Sequence, residues 1–60
     1  MIIEITSTIT SYYKKGNTGK LPRTTSRREA TVFKNPRIVA AMVANLNEKH
    51  EDKQFEAVEY

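Results

Sequence analysis

The chain has 60 residues, no cysteine and a formal net charge of +3. A chain of that length makes one small domain and buries only about 60% of its unfolded surface, which excludes a deep catalytic cavity walled by protein. The lack of cysteine excludes disulfides, thiolate nucleophiles and cysteine-ligated zinc.

Residues 2–13 are predicted as a single strand. Ile3, Ile5, Ile9 and Tyr13 share one parity with Ser7 and Ser11, while Glu4, Thr6, Thr8, Thr10 and Tyr12 share the other. A period of two in β-branched and aromatic residues gives one buried face and one hydroxyl-rich face. This segment carries Glu4 and many hydroxyl residues, so it lacks the continuous apolar run of a signal peptide. No stretch reaches the ~20 apolar residues that a membrane-crossing helix needs. The expected location is cytoplasmic, with no membrane partner.

Residues 14–27 are predicted as a long basic hairpin loop. Gly16, Asn17 and Gly19 tolerate positive φ, and Pro22 cannot donate to a ladder. A second strand is expected from about Arg28 to Phe33, on the β preference of Thr31, Val32 and Phe33. A rival signal is the capping box Ser26-Arg27-Arg28-Glu29, which opens helical turns. Too few residues separate it from Asn35-Pro36 for a stable helix, so the strand is preferred.

Asn35-Pro36 starts a helix, with Asn as cap and Pro at the first helical position. Ile38, Val39, Met42, Val43 and Leu46 form its apolar stripe, read as core. Residues 54–59 form a final strand. The predicted fold is α+β: a three-stranded antiparallel sheet of order 2-1-3 with one helix on one face, in a single domain spanning 1–60. The face carrying Thr6, Thr8, Thr10 and Tyr12 is expected to meet solvent or a partner.

The sequence contains no GxxxxGK[ST], GxGxxG or HExxH motif. Lys15-Gly16-Asn17-Thr18-Gly19-Lys20 lacks the glycine spacing of a phosphate loop and reads as a hairpin loop. His50 is the only histidine, and it reads as a solvated helix end. No catalytic residue, metal ligand or cofactor is expected.

Charge is segregated. Lys14, Lys15, Lys20, Arg23, Arg27 and Arg28 form a basic stretch without an acid, while the last thirteen residues are rich in Glu and Asp. A one-sided field favours an anionic partner. Tyr12 stands at the mouth of this stretch, where an aromatic can anchor an interface or stack on a base.

No motif identifies a family. The element order, closing on Phe55-Glu56-Ala57-Val58, is similar to that of small accessory proteins of bacteriophages, among them a coliphage inhibitor of bacterial RNA polymerase. The resemblance covers the coarse order from about residue 28 onward, and the long basic loop departs from it. It implies a non-enzymatic protein that binds a larger enzyme by charge and edge contacts.

The expected function is therefore non-enzymatic binding. Tyr12, Lys14, Lys15, Lys20, Arg23, Arg27 and Arg28 would dock with a sheet edge on an acidic surface of a larger protein, within nucleic-acid machinery in one version. The alternative is direct DNA or RNA binding, with the loop on phosphates. A homodimer through strand edges is a third reading.

Overall fold

β-Branched residues at Ile2–Thr6 form the first strand, β1, and Thr10–Tyr13 form the second, β2. The computed structural model describes residues 1–17, 19 and 21–60. A tight turn over residues 7–9 joins β1 to β2, closed by the Ser7 N–H donating to the Ile9 carbonyl at 3.2 Å. Ile9 stands on this turn and is exposed. The single strand expected over 2–13 is thus corrected to a hairpin.

β3 is short, Arg23–Thr24, and pairs with β2. It begins directly after Pro22, whose carbonyl accepts from the Lys14 N–H at 3.1 Å. Proline lacks a donor but keeps its acceptor, so it can flank a ladder. The loop from β2 to β3 contains Gly16 and Gly19, both at positive φ (97° and 107°).

The second strand expected over 28–33 is also corrected. Arg27–Glu29 is a 3-10 turn. The capping-box signal therefore identified a helical turn, although the Ser26 side chain makes no cap. Residues beyond it bond to strand ends without joining the sheet. The Thr31 N–H donates to the Tyr13 carbonyl at 3.0 Å, and Phe33 N–H to the Met1 carbonyl at 2.6 Å. The Met1 amino group returns a bond to the Phe33 carbonyl at 2.7 Å.

Helix α1 runs Pro36–Lys49, capped by the Asn35 side chain, which accepts from the Arg37 N–H at 3.0 Å. The final strand, β4, is Gln54–Val58. The architecture is α+β, one helix on an antiparallel sheet, as expected. The sheet has four strands in the order β3-β2-β1-β4, not three in the order 2-1-3.

The main core lies between sheet and helix. Ile3, Ile5, Val39 and Phe55 are buried together, with Tyr13, Leu21, Phe33, Met42, Val43, Leu46 and Ala57 packed against them. Ile38, expected in the helical stripe, is 53% exposed. At 100° per residue it sits about 90° from the centre of the stripe formed by Val39, Met42, Val43 and Leu46. Strand alternation turns Ile2 to the opposite sheet face, yet Ile2 is fully buried. Arg27 of the 3-10 turn stands over Tyr12 on that face, so the side expected to meet solvent is partly covered.

Candidate docking surface

The ladder registers define two ends of the sheet. Ile2, Tyr13, Arg23 and Val58 stand at one end, and Thr6, Thr10 and Gln54 at the other. The Met1–Phe33 bonds bring the start of α1 to the first end. The helix therefore points its positive N-terminal dipole there and its C-terminus to the other end.

Charges follow this axis. Lys14, Lys15, Arg28, Lys34 and Arg37 belong to segments at the first end, together with two acids, Glu29 and Glu59. Glu48, Glu51 and Asp52 belong to the helix end and turn at the other. Among the described residues the ion pairs are Lys14–Glu29 at 3.4 Å and Lys53–Asp52 at 2.6 Å. The second pair holds the Asp52 carboxyl below its ordinary value of 3.8 through the Lys53 hydrogen bond.

The sequence-derived site residues divide into three groups. Lys14 and Lys15 sit on a turn braced from two sides. The Lys15 N–H donates to Thr31 Oγ1 at 2.7 Å, and Asn17 Nδ2 donates to the Arg23 carbonyl at 2.9 Å. Exposed Arg28 belongs with them, its carbonyl accepting from the Tyr60 hydroxyl at 3.4 Å. Arg27 forms the second group with Tyr12. Its guanidinium stands 5.8 Å from the centre of the Tyr12 ring and donates to the Glu59 carbonyl. These contacts hold Arg27 across the sheet, and one face of Tyr12 is occupied by it.

The Arg23 side chain is apart from both groups, although the Arg23 carbonyl braces the Lys14–Lys15 turn. By register with Tyr13 it faces the helix side, and its side chain lines an open cavity of about 650 Å³ at the acidic end. The β1–β2 turn (Thr6, Ser7, Thr8) and the turn before β4 (Glu51, Asp52, Lys53, Gln54) complete that cavity. Arg23 Nη1 is buried without a partner among the described residues. Glu51 and Asp52 in the same walls oppose any anion drawn to Arg23. Lys20 lies outside the described residues.

Arg37 was missed by the sequence reading as part of a charged surface, and Lys34 was weighed there only as a charge beside Arg27 and Arg28 on the expected second strand. The available signal was the first turn of α1, which contains Arg37 and no acid. Helices usually place acids there, so a cation in that turn is a local conflict of the kind found at functional surfaces. Asn47 was missed as well. Its carboxamide bonds both backbone groups of Phe55, donating to the carbonyl at 3.0 Å and accepting from the N–H at 2.9 Å. Asn is a weak helix former, and one inside a final turn hints at a tertiary task.

No group of three or more His, Cys, Asp or Glu among the described residues is placed to hold a metal ion. His50 packs its ring 5.7 Å from that of Phe55 at the helix end. No helix among the described residues is long and apolar enough to cross a membrane. No protein-family model, no curated protein and no solved structure matches the chain.

Proposed function

We propose that this chain is a non-enzymatic binding protein that docks its cationic end on an acidic surface of a larger protein. One observation carries the reading: Lys14, Lys15, Arg28, Lys34 and Arg37 share an end of the molecule with the helix N-terminus, against two acids, Glu29 and Glu59. Such a pole orients the molecule during encounter and raises the association rate. Arg28 is suited to bidentate carboxylate contacts and the lysines to steering. The bacteriophage accessory proteins that the element order resembles offer a precedent by analogy alone.

An acidic protein surface is favoured over nucleic acid because Arg27 occupies a face of Tyr12, the aromatic that base stacking would use. The test is a titration with poly-L-glutamate and with a generic DNA duplex across a salt series. The native chain should bind the polypeptide, and Lys15→Glu/Arg28→Glu/Lys34→Glu should lose that binding while keeping its fold by circular dichroism. Tight duplex binding whose logarithm falls steeply with log salt would overturn the protein-surface reading in favour of phosphate contacts. Equal binding by the triple variant would remove the cationic pole from the account.

A further inference from the structure

The open cavity at the acidic pole, about 650 Å³, has the size of a small-molecule site. Its described walls hold two cations and two anions, and these are not equivalent. Lys53 Nζ donates to the Asp52 carboxylate at 2.6 Å, so those two charges neutralise each other. Arg23 and Glu51 remain, and neither enters an ion pair among the described residues. Arg23 comes from β3 and Glu51 from the turn before β4, the strands at opposite edges of the sheet. The cavity thus presents one uncompensated positive charge and one uncompensated negative charge from different walls. Arg23 Nη1 is shielded from solvent and donates to no acceptor among the described residues. A buried charged donor left without an acceptor costs free energy, so the site favours a guest that supplies one.

We propose that this cavity binds a small zwitterion, a molecule with one carboxylate and one ammonium group such as a free amino acid or a short peptide. The carboxylate seats on the Arg23 guanidinium and takes the unused Nη1 donor. The ammonium group seats against the Glu51 carboxylate. Each charge of the guest then meets its opposite, and the guest adds no net charge to walls that are themselves balanced. A guanidinium grips a carboxylate through parallel hydrogen bonds, which a neutral guest does not offer. A simple anion is opposed by Glu51 and a simple cation by Arg23, so the walls discriminate against both. Thr8 and Gln54 add neutral hydrogen-bonding groups, and no large apolar side chain is among the described lining residues. This inference concerns the acidic pole and stands independently of docking at the cationic one.

The test is an NMR titration of the isotope-labelled native chain with glycine, 4-aminobutyrate and triglycine. Acetate and methylammonium, at matched ionic strength, are the single-charge controls. At least one zwitterion should give saturable shifts at the Thr8 and Gln54 amides and at Arg23 Nε–H. It should bind about tenfold or more tighter than either control, the loss expected when one charged contact is missing. Preference for glycine assigns the site to free amino acids, and preference for triglycine assigns it to peptides. Glu51→Gln should remove the advantage over acetate, and Arg23→Gln should abolish binding. Acetate binding as tightly as the best zwitterion overturns the proposal, as do shifts that never saturate. An affinity unchanged in Glu51→Gln overturns it too. If Arg23→Gln does not fold, the native chain and Glu51→Gln, altered at an exposed position, still decide. An Arg23 Nε–H signal that stays in place while others shift rejects the assigned contact.

Discussion

Glu4 and Glu56 stand directly opposite each other on β1 and β4, on the sheet face turned away from the helix. Like charges directly opposite in a cross-strand pair are destabilising, whereas an opposite-charge pair there contributes roughly 0.2–1 kcal/mol relative to a neutral pair. Glu56→Lys replaces repulsion with attraction at an exposed position. A domain of this size gains about 4–8 °C in melting temperature per kcal/mol. Thermal unfolding should therefore show a rise of about 1–8 °C. A fall would mean that Glu56 has a favourable partner in solution.

Arg27 ties the 3-10 turn to Tyr12 and to the Glu59 carbonyl. Arg27→Ala should lower the unfolding free energy by about 1–2 kcal/mol, since an exposed cation–π contact contributes about 0.5–1 and a charged hydrogen bond adds to it. A double-mutant cycle with Tyr12→Leu should return a coupling of about 0.5 kcal/mol or more. Unchanged stability in urea would show the guanidinium free in solution and return it to the docking surface.

Ser11 is 1% exposed, paired with Ile5 beneath the helix, and its Oγ has no partner among the described residues. A buried hydroxyl without a hydrogen bond costs about 1–3 kcal/mol. Ser11→Ala should raise the urea midpoint, with a gain of about 1 kcal/mol after the loss of packing around Oγ. A lower midpoint would show that the hydroxyl is satisfied in solution.

The Asp52–Lys53 contact sets a direction for acid stability. Asp52 has a folded pKa below its ordinary 3.8, so its contribution is complete above that value and disappears as pH falls through the lower folded value. The carboxylate is fully exposed, and solvent screening keeps the effect small. Asp52→Asn should therefore be slightly less stable than the native chain near neutral pH and equal to it in strong acid. Chemical denaturation across the acid range checks this, and a gap that widens on acidification would reverse the assignment.

The helix was legible because its signals are local. Asn35-Pro36 caps and starts it, and the spacing of Val39, Met42, Val43 and Leu46 marks its inner side. The β1–β2 hairpin was not. Its turn over residues 7–9 holds no Gly, Pro, Asn or Asp, and an odd-length turn preserves parity. Ile3, Ile5, Ser11 and Tyr13 stay on one face and Glu4, Thr6, Thr10 and Tyr12 on the other, so the alternation runs through the reversal unbroken. A period of two cannot distinguish one long strand from such a hairpin.

The basic stretch was legible as composition but not as geometry. Contiguity in sequence placed Arg23 with Lys14 and Lys15, yet β3 turns the Arg23 side chain to the helix side. The grouping of Lys34 and Arg37 with Lys14 depends on where Phe33 meets Met1, a contact across 32 positions that no local pattern encodes.

Residues at both extremities grip the same central segment: Met1 holds Phe33, while Glu59 and Tyr60 hold Arg27 and Arg28. Purification tags or fluorescent fusions attached at either extremity would thus tug on the strap that carries part of the cationic pole. A label inserted at the bend around Glu51–Lys53, at the far pole, would leave that strap untouched and is the sounder choice for assays of cationic-pole docking.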